Sequence, residues 1–247
     1  MQSLGYLSAS EEITTENAKR VSSLTLGDRA GIFRGVGITE FNELKYFTNY
    51  TVVDSLNNQS TGWNFYGDFQ NCTELKSIAL DNITTIRANA FENAGLESVE
   101  APKLISIEEK AFANCKNLVQ VDFSKSSLKD LKSYAFSGCS ALKVCKLPET
   151  LTNIGNYAFD GTSSLTELTI PGSVSSIGEN VFSGSGLTTI YWNWTGTGAP
   201  DLPENTAAVF GTNIQQIYMP KAFIDNIAIY GDWKPYVSLL VPYDFKK

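Results

Sequence analysis

From Phe69 onward the chain repeats one arrangement of apolar and polar positions. A small residue and a phenylalanine recur as Ala90-Phe91, Ala111-Phe112, Ala135-Phe136 and Ala158-Phe159, with Val181-Phe182 as a variant. Each is followed by spaced apolar residues: Leu96/Val99/Ala101, Leu118/Val121/Phe123, Leu142/Cys145/Leu147, Leu165/Leu168/Ile170 and Leu187/Ile190/Trp192, with Leu75/Ile78/Leu80 ahead of them. Between one set and the next phenylalanine lies an apolar pair three residues apart: Ile83/Ile86, Leu104/Ile107, Leu128/Leu131, Leu151/Ile154 and Val174/Ile177. The anchors Phe69, Phe91, Phe112, Phe136, Phe159, Phe182 and, less regularly, Phe210 are separated by 22, 21, 24, 23, 23 and 28 residues. A near-constant period of this size predicts a solenoid. One coil cannot bury its own apolar side, and stacking places each inward group between its counterparts in the coils above and below.

Within a coil the spaced apolar set predicts a short strand, and Pro102, Pro148 and Pro171 end three of these strands because proline has no N–H to donate to a ladder. The remaining segments, with their Thr, Ser and Asn, predict short helical or irregular turns. The fold class is therefore a β-rich leucine-rich-repeat solenoid, right-handed, with parallel strands and a small N-terminal helical cap. It forms one structural domain overall. Residues 1–45 are the expected N-terminal cap segment, with a short amphipathic helix over Glu12 to Leu26 and Thr14 or Thr15 as its N-cap. Residues 46–220 are the solenoid, and a degenerate entry coil over Gly37 to Val53, across that boundary, offers Phe41, Leu44, Phe47 and Val52 as core positions. Residues 221–247 are the C-terminal cap, with Phe223, Ile227, Trp233 and Tyr236 available to cover the end of the stack.

Composition narrows the function. The net charge of −7 and the thin spread of 19 basic residues argue against nucleic acid, which is bound through clustered Lys and Arg. No run of about 18 apolar residues exists to form a spanning helix. Met1 and the following QSLGYLSASEE lack the basic start and apolar stretch of a secretory signal, which leaves a cytosolic or an already processed exported protein open. Histidine is absent, so Ser-His-Asp and Cys-His catalysis and His-ligated zinc are excluded. The adjacent acids Glu11/Glu12 and Glu108/Glu109 diverge on any regular element, unlike the facing carboxylates of a glycosidase. Cys72, Cys115 and Cys139 each follow an anchor phenylalanine by three residues, where other coils hold Ala94, Thr162 and Ser185, and Cys145 is an inward strand residue. Four buried free thiols are expected, with no cofactor and no metal. The N-x-[ST] sequences at Asn49, Asn58, Asn71, Asn82 and Asn193 arise from a Ser/Thr/Asn-rich composition and are assigned no role.

The words SIEEKAFANCKNLVQVDF, NIGNYAFDGTSSLTELTIPGSV and SIGENVFSGSGLTTI resemble the BspA-type, or treponemal-type, leucine-rich repeat with its I-g-x-x-A-F-x-x-C-x-x-L-x-x-I-x-L-P frame. The resemblance extends over nearly the whole chain, flanking segments included. It implies a secreted or surface-attached protein of Bacteroides-like bacteria, in a family where some members act as adhesins on host proteins. Relatives often carry an Asp-rich calcium loop ahead of the cap helix. Here Ser8 and Ser10 stand where carboxylates are needed, and no calcium is expected.

The outward strand positions are where binding is expected. They read Ser77/Ala79, Ser98/Glu100, Gln120/Asp122, Val144/Lys146, Glu167/Thr169, Thr189/Tyr191 and Gln216/Tyr218. Seven parallel strands about 4.8 Å apart make a face about 30 Å long, suited to a macromolecule. The candidate binding residues are Glu100, Asp122, Lys146, Glu167, Thr189, Tyr191, Trp194 and Tyr218. In the Tyr191-Trp192-Asn193-Trp194 segment, Trp192 points inward, and the rings serve either a ligand or closure of the core. The expected function is a non-enzymatic, monomeric cell-surface or secreted adhesion protein whose partner is a host or surface protein or a glycan. A spacer or display module without a ligand of its own is the alternative.

Overall fold

The structure is a computed structural model describing residues 40–41, 51–53, 59–61, 63–65, 69–196, 199–203, 209–226 and 231–245, with side chains from residue 69 onward. The expected cap helix and the Ser8/Ser10 segment lie outside these residues.

The chain winds as a parallel solenoid. At its start β1 (Glu40–Phe41) pairs in parallel with β5 (Ser77–Ile78), and β2 (Thr51–Val53) pairs antiparallel with β3 (Gln59–Thr61). On one side, β5, β7 (Ser98–Glu100), β9 (Gln120–Asp122), β11 (Val144–Lys146), β13 (Glu167–Ile170), β15 (Thr189–Trp192), β16 (Gln216–Pro220) and β17 (Leu240–Tyr243) follow one another along the stack. Register is unbroken within β7-β9-β11, where Val99, Val121 and Cys145 align. It is equally regular within β13-β15-β16-β17, where Leu168, Ile190, Ile217 and Leu240 align. Burial alternates along these strands as the pleat requires, with Val99, Val121, Leu168, Ile190 and Ile217 inside.

The apolar pairs three residues apart lead out of the turns into regular structure. The second residue of each pair lies on a second set of short strands, β6 (Ile83–Ile86, which holds both members), β8 (Ser106–Ile107), β10 (Asp130–Leu131), β12 (Asn153–Ile154) and β14 (Ser176–Ile177), which with β4 (Trp63–Phe65) form a six-stranded parallel sheet. Two ladder residues per coil carry too little alternation to read as a strand in isolation. Hydrogen bonding to the next coil makes them one.

The third side of each coil is the phenylalanine turn, and it too is bonded from coil to coil. The N–H of Phe69, Phe91, Phe112, Phe136, Phe159 and Phe182 donates to the carbonyl of Ala90, Ala111, Ala135, Ala158, Val181 and Val209 respectively. Behind this ladder the seven anchor rings form one column, with centroids 5.3 to 6.2 Å apart and planes within 18° of parallel. Phe210 belongs to that column despite its longer spacing. Cysteine fills the small site beside it, and Cys115 and Cys139 donate their S–H to the carbonyls of Phe91 and Phe112 at 3.0 and 3.1 Å. All four cysteines are buried and none forms a disulfide.

The turn reverses so tightly that its backbone enters the left-handed region twice per coil. One column, two residues after each phenylalanine, is Asn71, Asn93, Asn114, Gly138, Gly161 and Gly184, at φ 58–74°. At Gly138 a Cβ would lie 2.3 Å from the Asn114 amide oxygen, so the change from Asn to Gly avoids a clash as well as strain.

At the C-terminal end Trp192, Phe210, Trp233 and Tyr236 close the stack through edge and tilted ring contacts of 4.8 to 6.5 Å. Trp233 and Tyr236 come from a 3₁₀ helix (Gly231–Leu239), and Phe223 comes from the short helix α1 (Lys221–Ile224). The same terminal segment also lengthens the outer sheet, because β17 pairs in parallel with β16.

Candidate functional site

The outer face of the β5–β17 side carries the polar and aromatic side chains that the core does not need. Glu100, Asp122 and Lys146 align in one column across β7, β9 and β11. Lys146 donates to the Asp122 carboxylate at 2.9 Å, and Asp122 also accepts the Ser124 hydroxyl at 2.6 Å and the Ser124 backbone N–H at 3.0 Å. The Ser124 hydroxyl and then the Lys146 ammonium hold the Asp122 carboxyl down at about 2. Reciprocally, Asp122 pushes the Lys146 ammonium above its ordinary value.

The other half of the face is aromatic. Tyr191 and Tyr218 are in register on β15 and β16, and their rings stack at 4.8 Å and 11°. Tyr243, on β17, sets its ring across both, at 5.4 Å and 65° to Tyr191 and at 5.5 Å and 73° to Tyr218. Phe245 meets Tyr243 edge-on at 4.7 Å. The Tyr218 hydroxyl donates to the Gln216 side-chain oxygen at 3.0 Å. Partial burial, then the nearby Glu167 carboxylate and the other two tyrosines, raises the Tyr191 hydroxyl above the ordinary tyrosine value. Tyr243 remains 44% exposed, as does Val144 at 42% in the middle of the face.

Of the residues expected from sequence, Glu100, Asp122 and Lys146 come together, as do Tyr191 and Tyr218. Glu167 aligns with Thr189 and Gln216 in the neighbouring column. Trp194 does not join the tyrosines. Its backbone N–H turns back onto the Trp192 carbonyl at 2.8 Å just past β15, and its half-buried ring meets Trp192 edge-on at 6.5 Å against the core cluster. Sequence reasoning missed Tyr243 and Phe245. Their segment read as a cap, and only the alternation in Leu240-Val241-Pro242-Tyr243, ending in Pro-Tyr as β16 ends in Met-Pro, hinted at a further strand.

Elsewhere the surface is less prepared for a ligand. Tyr134 and Tyr157 stack at 4.9 Å on the turn side, and a shallow concavity of about 350 Å³ lies against Asn71, Asn93, Asn114 and Lys116. The Asn93 amide donates to the Asn71 side-chain oxygen at 2.9 Å, so this amide ladder is partly satisfied within itself. Burial raises the Cys115 and Cys145 thiols well above the ordinary thiol value, so these two offer no ready nucleophile. Among the described residues, no helix is long and apolar enough to cross a membrane.

Solved structures similar to this chain include a leucine-rich repeat protein from Bacteroides ovatus, 18% identical with TM-score 0.40, over 90% of this chain and 61% of that one. A leucine-rich cell-surface protein from Faecalibacterium prausnitzii is 24% identical with TM-score 0.48, over 62% of this chain and 50% of that one. A leucine-rich repeat protein of T. pallidum is 20% identical with TM-score 0.41, over 61% of this chain and 78% of that one. This chain thus spans about half to three-fifths of the first two proteins' length. No curated protein matches it in sequence. Residues 66–188 match the BspA type leucine rich repeat region in six copies, and with the coil geometry above they make this chain a member of the BspA-type leucine-rich-repeat family.

Proposed function

We propose that this protein is a non-enzymatic binding module, displayed on a cell surface or secreted, that holds a partner protein against its outer sheet face. The observation that carries this reading is the cluster of Tyr191, Tyr218 and Tyr243, three contacting rings presented on flat, regular backbone instead of being folded into the core. Tyrosine supplies large contact area with few torsions to freeze, and interfaces concentrate their energy in such residues. Glu100, Asp122, Lys146, Glu167 and Thr189 extend the face into a polar flank that sets orientation. The family's role as a protein-interaction or adhesion scaffold supports the reading, and so does the burial of every thiol.

The test is capture of a panel of matrix proteins and glycans by the immobilised protein and by a Tyr191→Ala/Tyr218→Ala/Tyr243→Ala variant. We expect a protein hit that weakens by about 30-fold or more in the variant, the scale of an interface hot spot, with cooperative unfolding of the fold retained. A hit unaffected by the triple substitution refutes the placement. A glycan hit lost in the variant moves the partner to the carbohydrate class, and a blank panel favours a spacer or display module.

A further inference from the structure

The face of the Tyr191 ring turned away from Tyr218 has surroundings that identify what fits there. Tyr191 and Tyr218 stack nearly parallel across adjacent strands, so their planes stand across the stacking direction and one face of each covers the other. The opposite face of Tyr191 therefore looks along the sheet toward β13. The residue in register with it there is Thr169, small and exposed. Beyond Thr169 lies β11, whose outward Lys146 is drawn away from Tyr191 by its contact with Asp122 on β9. Between the Tyr191 ring and the Lys146 chain this row of the face therefore carries only the short, exposed Thr169, a slot between two longer side chains.

Glu167 stands beside this floor, two residues before Thr169 on the same face of β13. It is exposed and has no ion-pair partner among the described residues. The remaining carboxylates of the face, Glu100 and Asp122, outnumber Lys146, and the whole chain carries −7. A tyrosine face next to an unneutralised carboxylate and a hydroxyl attracts a planar cation. Guanidinium stacks on the ring while its N–H fork reaches the oxygens, which ammonium does less well and a neutral sugar does without the charge. We propose that this slot receives a basic side chain of the partner protein, arginine foremost, lying on Tyr191 and paired with Glu167. The proposal rests on the sheet-face reading above and names the chemistry that the face selects.

A displayed library of random peptides, selected on the immobilised protein, tests it. The expected outcome is enrichment of arginine, then lysine, in the recovered peptides, with binding that weakens as salt rises. Synthetic copies of those peptides are expected to lose about tenfold in affinity to Glu167→Gln, an exposed and nearly isosteric change, and at least as much to Tyr191→Ala. Tyr157→Ala, on the turn side, should leave affinity unchanged. Peptides that need Tyr191 but lack basic residues and ignore Glu167→Gln overturn the proposal while leaving the sheet-face reading in place. Peptides indifferent to Tyr191 and Tyr218, or no recovered peptide at all, overturn both.

Discussion

Tyr134 and Tyr157 on the turn side stack at 4.9 Å and 2°, and Tyr191 and Tyr218 on the sheet face stack at 4.8 Å and 11°. The rise from one coil to the next sets both spacings, yet the two pairs do different work. The turn pair sits on left-handed backbone, at φ 60° and 56°, where a side chain costs roughly 1–2 kcal/mol per residue. Its rings are engaged from both ends, by Lys110 lying 5.5 Å over Tyr134 and by the Asn180 amide donating to the Tyr157 hydroxyl at 3.0 Å. A stacked pair contributes about 0.5–1.5 kcal/mol beyond burial, which offsets part of that strain. The sheet pair rests on extended backbone already held by Ile190 and Ile217 beneath it. Its ring contacts are not needed to keep the coil closed, so they are available to a partner.

The largest expected effect lies under the turn pair. Phe159, fully buried between Phe136 and Phe182, should cost about 3–5 kcal/mol as Phe159→Ala. Urea unfolding measures it, and a loss no greater than that of Tyr218→Ala would erase the distinction between core column and display surface. A smaller but more discriminating effect compares glycine with alanine at both pairs. At Tyr157 the glycine variant should be more stable than the alanine variant by about 1 kcal/mol, because only glycine relieves the left-handed strain. At Tyr191 the order should reverse, since glycine in a strand gains only unfolded-state freedom. The same order at both sites would show that the two pairs do not differ in backbone strain.

The smallest effect is at the polar flank of the sheet face. Because Asp122 titrates at about 2 when folded, against about 3.9 in an unfolded chain, its contribution to stability is complete above about pH 4 and is lost as pH falls through 2. With its side chain 22% exposed and that of Lys146 55% exposed, screening holds this to about 1 kcal/mol or less. Asp122→Asn should therefore lower stability at pH 6 and flatten the fall in urea midpoint between pH 4 and 2. An equally steep acid limb in the variant would remove Asp122 as its source.

Much of the fold is legible in the sequence because stacking repeats one packing problem. Leu165, Leu168 and Ile170 must fit against Leu142, Cys145 and Leu147 below and Leu187, Ile190 and Trp192 above, so the period in the residues is the period in space. The outward rows follow by alternation, which brings Glu100, Asp122 and Lys146 together and sets Tyr191 beside Tyr218. The second sheet escapes such a reading, since Asn153–Ile154 is a strand only through its bonds to β10 and β14. The left-handed positions of Tyr134 and Tyr157 escape it as well, because tyrosine carries no preference for that backbone and the turn imposes it.

The sequence by itself determined the coil, its inward residues, the phenylalanine column and the small sites that hold cysteine, because each depends on local spacing repeated at a constant interval. Only the tertiary structure decided that Trp194 folds back against the core and that Tyr243 arrives from the terminal segment to lie across Tyr191 and Tyr218. Those outcomes depend on where the repeat stops. Past β15 the period is no longer constant, and for Trp194 and Tyr243 a turn's direction and β17's register with β16 settle which side chains meet.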